Sequence, residues 1–351
     1  MTKLPILTMA VTALLVAISG NTVVEAAIVE WPATLAASVF LGQDEADAKK
    51  PDAEEKKEAV SEKVDPARAA KIAEASAVLE KARRRMIDYA SIKATIVETV
   101  AIGQRKFKVT GNYLQGSGLR LRLDFKAQLG NSTGSVLEIC DGEVLWTRHK
   151  VGKQQQITRR NVRDILNAVS NSPNLPKDMM IAELSLGGLP GLLASVQRTW
   201  EFDSISEESI GDKKFTVIKG GWQKSFKEKF PKITEAGDLP AYIPDRLELY
   251  FDNEFNFPHR IMYRKRPLGK KFLRPMVTID FTEIVLDEAV NEEEFYFLPP
   301  DEVTPIDVTK RYLDQIARIA NPKAAATPGT PPSPSVKAND GTKLNLKNGL
   351  K

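Results

Sequence analysis

A regular alternation of apolar and charged residues limits much of this chain to β-structure. In the segment from Leu119 to Lys126 the odd positions are apolar and the even positions are charged. A period of two places alternate side chains on opposite faces of a strand. The segment therefore predicts a strand with one apolar and one solvated face, and similar alternation extends from Thr95 to Arg159.

Turn signals divide this stretch into several strands. They lie at Gly103-Gln104, Gly116–Gly118, Gly130–Ser132 and Asp141-Gly142. The last pair stands between two apolar runs, and Asp-Gly in that setting is the strongest short signal for a β-hairpin. We therefore predict about five consecutive antiparallel strands, buried on one face and solvated on the other.

The composition allows a large core and argues against several kinds of site. With 351 residues, 42% of them hydrophobic, the chain can bury a sizeable core, and a formal net charge of +4 does not favour nucleic acid as a partner. The single cysteine, Cys140, permits no disulfide within the chain, and histidine occurs only at His149 and His259. We expect no metal site, because a histidine-based zinc site would need both histidines.

The first residues have the pattern of a secretory signal peptide. Lys3 precedes an apolar run from Leu4 to Ile18, and Val24–Ala26 fits a small-residue cleavage site. The run is shorter than the roughly twenty residues of a membrane-spanning helix. The apolar stretch Ile28–Leu41 keeps an uncleaved anchor as an alternative. Since no cysteine lies near the cleavage site for lipid attachment, we expect a signal peptide over 1–26 and a soluble, non-lipidated periplasmic protein.

Composition also separates a folded part from two flanking segments. Residues 27–65 form a charged linker, in which the stretch from Asp44 to Asp65 has nine acidic and five basic residues. Residues 321–351 are rich in proline, alanine and lysine. Segments with so few large apolar side chains do not fold alone. We predict disorder in both and one folded domain over 66–320.

Helices and further strands follow from the spacing of apolar residues. The predicted helices are Pro66–Tyr89, Asn161–Ser170, Lys177–Leu186, Leu189–Trp200 and Val308–Ala320. The later predicted strands are Thr199–Ile205, Lys213–Lys219, Asp245–Asp252, Pro258–Lys265, Met276–Leu286 and a last one from Glu292 that ends at Pro299-Pro300. An irregular insertion spans Gly220–Leu239, and the glycine-rich Gly187–Gly191 is interpreted as a hinge because it lacks the order of a phosphate-binding loop.

Motifs in both strand-rich halves resemble one known family. The first half contains Leu119–Phe125 and the hairpin Asp141–Trp146, and the second contains Leu247–Asp252, Phe257–Ile261, Val277–Phe281 and Phe295–Pro300. In this order they resemble the LolA/LolB-like superfamily of periplasmic lipoprotein carriers, or outer-membrane lipoprotein-sorting proteins. The resemblance extends from about Pro66 to Val308.

The resemblance implies both a fold and a function. The expected fold is α+β, with a strongly curved antiparallel sheet that forms an incomplete β-barrel and helices that plug its concave face. The cavity between them would hold the acyl chains of a lipoprotein or lipid without covalent chemistry, and a membrane-bound donor or acceptor protein would be a further partner. The alternative is an envelope-stress sensor or regulatory binding module of the same fold with a protein partner.

The apolar faces of the strands would line such a cavity. The predicted ligand-binding residues are Phe107, Val109, Tyr113, Leu119, Leu121, Leu123, Phe125, Trp146, Leu247, Leu249, Phe251, Val277, Ile279 and Phe281. Each of these residues also suits an ordinary core position beneath the helices. Trp146 suits either the cavity or packing within its own hairpin.

The sequence does not favour an enzyme. We recognise no nucleophile elbow, no H-E-x-x-H motif and no Walker A motif. Cys140 has only His149 nearby in sequence, and the turn at Asp141-Gly142 would hold the two side chains too far apart to meet. We therefore expect no enzymatic activity and no cofactor.

Overall fold

The structure is a computed structural model that describes residues 65–102, 105–129, 132–172, 188–224, 239 and 243–320. The predicted signal peptide, nearly all of the charged linker and the predicted tail lie outside these residues. The predicted helix Lys177–Leu186 and most of the insertion Gly220–Leu239 lie outside them as well.

The twelve strands of the described chain form one sheet. The strands are β1 (Ile92–Ile102), β2 (Arg105–Gln115), β3 (Arg120–Leu129), β4 (Ser132–Asp141), β5 (Val144–Val151), β6 (Gln154–Asn161), β7 (Trp200–Ile210), β8 (Lys213–Trp222), β9 (Arg246–Asp252), β10 (Pro258–Lys265), β11 (Arg274–Leu286) and β12 (Ile306–Asp307). Their order in the sheet is β12-β6-β5-β4-β3-β2-β1-β11-β10-β9-β8-β7. Strand β12 runs parallel to β6, and the other neighbours are antiparallel. Since β12 and β7 stand at opposite ends, the sheet is open, and the predicted α+β class with an incomplete barrel is confirmed.

Four helices accompany the sheet in the described residues. They are α1 (Pro66–Asp88), α2 (Val162–Ser170), α3 (Gly188–Thr199) and α4 (Thr309–Ala320). Side chains cap two of them, since Asp65 accepts a hydrogen bond from the Ala67 N–H and Asn161 accepts one from the Asp164 N–H, both at 3.0 Å. The predicted helices that fall on described residues are confirmed to within two residues.

The predicted hairpin at Asp141-Gly142 is confirmed in detail. The Asp141 carboxylate accepts hydrogen bonds from the backbone N–H groups of Glu143 and Val144, each at 2.8 Å. Gly142 has a φ of 104°, which only glycine adopts without strain. The turn therefore fixes the register of β4 against β5.

Three features of the prediction are corrected. The first half of the sheet has six strands where about five were expected. The segment after Asn291 begins with a 3₁₀ turn (Glu292–Phe295) instead of a strand, because the Asn291 side chain accepts a hydrogen bond from the Glu293 N–H at 3.1 Å. The short strand β12 was not predicted, and it pairs with β6 while Arg159 bonds Asp307 at 3.0 Å.

All four helices contribute to one hydrophobic core on a single face of the sheet, which we call the inner face. Buried residues of α1, α2, α3 and α4 such as Leu79, Ile165, Leu193 and Ile316 join the apolar set of the strands in this core. On the opposite, outer face the described residues include a small cluster formed by Phe215, Val217 and Tyr250, and ion pairs such as Arg264–Glu248 at 2.7 Å. The alternation of the strands thus separates a core-facing from a mostly polar side.

Candidate ligand-binding site

The structure brings the predicted cavity residues together on the inner face, with one exception. Val109, Tyr113, Leu121, Leu123, Phe125, Leu247, Leu249, Phe251, Val277, Ile279 and Phe281 are buried in the main core, and Phe107 and Leu119 are partly buried against it. Gly111 makes room for this packing, since a Cβ at that position would clash with the Phe125 ring. Most of this set is therefore closed off beneath the helices.

Trp146 lies on the outer face. Its neighbour Leu145 belongs to the main core, so the alternation of β5 directs Trp146 to the other side. The indole ring packs against Phe297 with 5.6 Å between ring centroids, and the guanidinium of Arg159 lies 6.0 Å from the ring. Of the two roles considered for Trp146, this position favours packing over the cavity.

A groove opens where α1, the β2–β3 turn and α3 meet. It has a volume of about 450 Å³. Its lining comprises Arg83, Ile87, Asp88, Tyr89, Ala90, Gln115, Gly116, Ser117, Gly118, Leu119, Arg120, Leu121, Gly188, Pro190, Gly191 and Ala194. From the predicted set only Leu119 and Leu121 line it, and Leu121 is also part of the main core. The floor of the groove is therefore continuous with the buried inner face.

A chain of hydrogen bonds holds this mouth together. The Leu189 N–H of α3 donates to the Tyr113 hydroxyl oxygen at 2.9 Å, and that hydroxyl donates in turn to the Gln115 side chain. The Gln115 amide donates to the carbonyl of Met86 in α1 at 3.2 Å. Because burial raises the pKa of Tyr113, its hydroxyl stays protonated and keeps its donor role.

Gly188 is required at the start of α3. Its φ is 51°, and a Cβ there would lie 2.5 Å from the Tyr113 hydroxyl oxygen. The glycine-rich sequence was interpreted as a hinge, and in the structure it begins the helix that forms one wall of the groove. Glycine therefore meets both a backbone and a space requirement here.

Two buried polar groups on the inner face were missed by the sequence analysis. Glu98 and Tyr263 are both 0% exposed. Neither carboxylate oxygen of Glu98, nor the hydroxyl of Tyr263, has a hydrogen-bond partner among the described residues. The period of two could have found Glu98, because it shares the face of Ile96 and Val100 in β1.

Glu98 and Tyr263 are close enough to affect each other. Glu98 pairs with Ile279 across β1 and β11, and Tyr263 pairs with the nearby Val277 across β10 and β11. Burial raises the pKa of Glu98 well above its ordinary value, which favours the neutral acid. Burial, and then the charge of Glu98, raise the pKa of Tyr263. In the neutral state both groups can donate a hydrogen bond to an acceptor inside the core.

A second polar group fixes α4 over the first half of the sheet. Arg160 donates a hydrogen bond to the Tyr312 hydroxyl of α4 at 2.8 Å, and its guanidinium lies 5.1 Å from the centre of the Tyr312 ring. Burial raises the pKa of the neighbouring Glu138, and the positive charge of Arg160 offsets only part of this increase. The buried charge of Arg160 is thus explained by its contact with α4, and it does not indicate a binding site.

Cys140 and His149 do not form a catalytic pair. Cys140 lies opposite Leu145 and His149 opposite Val136, so four residues of β4 separate them, or about 13 Å at the usual strand rise. Burial raises the pKa of Cys140 to about 11, which keeps the thiol protonated. Burial lowers the pKa of His149.

One further sequence pattern resembles that of a hydrolase. The letters G-x-S-x-G do occur at Gly130–Gly134, but Ser132 begins strand β4. A nucleophile elbow needs a strand, a sharp turn and then a helix. The pattern therefore does not indicate a hydrolase here.

The described residues contain neither a metal cluster nor a membrane-spanning helix. No group of three or more His, Cys, Asp or Glu side chains in them is placed to hold a metal ion. In the same residues, no helix has the length and apolar content needed to cross a membrane.

Comparisons with known proteins give structural likenesses only. No family model matches the chain, and no curated protein matches it. The Pseudomonas aeruginosa MucA/MucB complex matches with 13% identity over 64% of this chain and 61% of that chain, at a TM-score of 0.29. The LolA superfamily protein NE2245 from Nitrosomonas europaea matches with 12% identity over 64% of this chain and 97% of that chain, at a TM-score of 0.27. The lipoprotein LppX from Mycobacterium tuberculosis matches with 11% identity over 62% of this chain and 98% of that chain, at a TM-score of 0.32.

The chain resembles solved LolA superfamily structures. The chain covers 63% of MucB in its own crystal structure, which is less than two thirds of that protein. Likenesses with TM-scores near 0.3 assign no ligand, and the chain's own residues have to indicate one.

Proposed function

We propose that this chain binds the acyl chains of a lipid or lipoprotein beneath α1 and α3 and releases them without covalent chemistry. The observation that carries the proposal is the groove of about 450 Å³, whose floor at Leu121 is part of the inner-face core. Pockets for small apolar ligands commonly measure about 300–1,000 Å³ and carry few polar groups. The groove is therefore large enough to admit the end of an acyl chain.

The energy of binding would come from burial of methylene groups. Each buried methylene contributes about 0.8 kcal/mol, so about ten of them give up to about 8 kcal/mol before the cost of ordering the chain. An affinity of this origin is reversible and tolerates different headgroups. It suits a protein that carries or senses a lipid.

Entry of a whole chain would require α1 and α3 to separate from the inner face. The bonds that join them at the mouth are the hydrogen bonds through Tyr113 and Gln115. These hydrogen bonds contribute about 1 kcal/mol each, and separation also exposes buried residues of both helices such as Leu79 and Leu193, so an entering acyl chain would have to replace their apolar contacts. We infer that this opening is the step of ligand exchange.

The proposal includes a location and partners. The pattern of residues 1–26 supports export across an inner membrane and a non-lipidated protein in the periplasm. A carrier there would receive its lipid from one membrane-bound protein and deliver it to another. Both partners are part of the proposal.

Native mass spectrometry of the protein purified from its own cell envelope tests the function. We expect a bound lipid or acylated peptide that leaves when acceptor vesicles are added. A protein that carries no lipid, and that takes up no fluorescent acyl lipid when the lipid is supplied, contradicts the proposal.

A further inference from the structure

The hairpin between β10 and β11 exposes large apolar side chains at its tip. We call residues 266–274 the basic hairpin. Leu268 is 85% exposed and Phe272 is 48% exposed. A hydrogen bond from the Lys270 N–H to the Pro267 carbonyl, at 3.0 Å, and a φ of 69° at Gly269 form the turn. The two apolar side chains are thus held out from the sheet by a defined turn.

The same hairpin carries only positive charge. It contains Arg266, Lys270, Lys271 and Arg274, and the sequence has no acidic residue from 255 to 279. In the described part of the chain, no ion pair joins any of these four side chains to a carboxylate. The Arg274 guanidinium instead lies 4.9 Å from the centre of the Phe272 ring.

The base of the hairpin differs from its tip. Just before it, Lys265 pairs with Asp245 at 3.1 Å and Arg264 pairs with Glu248 at 2.7 Å. Asp245 also accepts a hydrogen bond from the Arg266 backbone N–H at 2.6 Å. The base is therefore neutralised and anchored to β9, whereas the basic side chains at the tip have no carboxylate partner among the described residues and lie next to the exposed apolar groups.

We propose that the basic hairpin docks on an anionic lipid surface. Leu268 and Phe272 insert between the headgroups, while the four basic side chains contact lipid phosphates. A surface of this kind attracts each nearby Lys or Arg by about 1 kcal/mol, or about fivefold in affinity, and the apolar side chains add the energy of burial. An acidic protein would satisfy the charges but would not require both apolar side chains at the tip.

The position of the hairpin leaves the groove free. Ala90 lines the groove, and two residues later Ile92 pairs with Leu286. At the other end of the same pairing, Val100 lies opposite Val277, close to the hairpin. Eight residues of strand separate these two ends, which corresponds to about 27 Å. Docking through the hairpin therefore keeps the groove away from the contacted surface, and it does not depend on whether the groove binds an acyl chain.

Vesicle binding of the full chain tests this inference. We expect binding to vesicles that contain phosphatidylglycerol, little binding to pure phosphatidylcholine, and a marked decrease at high salt because the attraction is screened. Lys270→Gln with Lys271→Gln should weaken binding about 25-fold at low salt. Leu268→Ser with Phe272→Ser should also weaken it. Equal binding of these variants and the parent chain overturns the proposal.

A matched control separates the hairpin from exposed apolar residues in general. Leu298 is 91% exposed but lies between Glu292–Glu294 and Asp301-Glu302. Leu298→Ser should bind anionic vesicles as the parent chain does. If the serine variants of the hairpin bind vesicles normally while the lysine variants do not, the hairpin recognises negative charge alone, and the proposed insertion of Leu268 and Phe272 between the headgroups is wrong.

A local probe excludes binding through other segments. A polarity-sensitive fluorophore on Leu268→Cys should shift to shorter wavelength when anionic vesicles are added, and the same fluorophore on Leu298→Cys should not. The native Cys140 is buried and does not compete for labelling. A shift at both sites, or at neither, contradicts docking through the hairpin.

Discussion

Glu98 is a carboxyl group whose burial costs stability at neutral pH. Its raised pKa means that the folded protein holds a proton that the unfolded chain releases above its ordinary pKa. Stability should therefore fall as the pH rises from the ordinary pKa of a glutamate through the raised one, and be level beyond it. Glu98→Gln removes this dependence and should stabilise the protein by about 1–3 kcal/mol at pH 8, with little effect at pH 4.

Urea unfolding of both proteins across that pH range provides the measurement. Glu207→Gln, at an exposed position of β7, is the control and should follow the parent chain. If the unfolding free energies of Glu98→Gln and the parent chain differ by the same amount at every pH, Glu98 is not buried as an acid without a partner.

Leu121 connects the groove to the core, so a charge there should block the ligand. Leu121→Glu should weaken acyl binding by at least about 2 kcal/mol, because an apolar contact is lost and a carboxylate must be desolvated. Titration with a fluorescent acyl lipid measures the change. Leu121→Met keeps the apolar contact and should bind normally.

Leu121 is only 3% exposed, so its glutamate variant needs a check of folding. Leu119→Glu places the charge at a less buried position of the same groove and should give the same loss with less destabilisation. If Leu121→Glu folds normally and still binds lipid, the assignment of this face to the ligand is wrong.

At the scale of elements, two tyrosines of the inner face should respond in opposite ways to loss of the hydroxyl. Tyr113→Phe leaves the Leu189 N–H of α3 without its acceptor, and should cost about 1–2 kcal/mol of unfolding free energy. Tyr263→Phe removes a hydroxyl that has no partner among the described residues, and should be neutral or stabilising.

The same pair of variants tests opening at the groove. In Tyr113→Phe, amide hydrogen exchange of α3 should accelerate more than the loss of global stability explains, and bound lipid should exchange faster. In Tyr263→Phe the exchange of α3 should be unchanged. If both substitutions change the hydrogen exchange of α3 and the exchange of lipid equally, the groove does not open independently of the rest of the protein.

The alternation of apolar and polar residues predicted most strands, because in a strand with one buried face every second side chain is apolar and points to the core. It also carried information about single side chains. Leu145 and Trp146 are neighbours, so only one of them can face the core, and the period of two also places Glu98 inward. What the sequence could not predict depends on contacts between distant segments. Strand β12 exists because Ile306-Asp307 meets β6, and the groove exists because α1, β2 and α3 meet through Tyr113 and Gln115.

At the scale of the whole molecule, the groove and the basic hairpin lie at opposite ends of β1 and β11, so binding and docking should be separable. Lys270→Gln with Lys271→Gln should bind acyl lipid normally but transfer it to anionic vesicles about 25-fold more slowly at low salt. Leu121→Glu should dock on those vesicles normally and carry no lipid. Transfer rates measured against acceptor vesicle concentration distinguish the two defects, because only docking makes the rate depend on the charge of the acceptor. If either variant loses both activities while remaining folded, the two sites are coupled, and the separation by about 27 Å of strand does not isolate them.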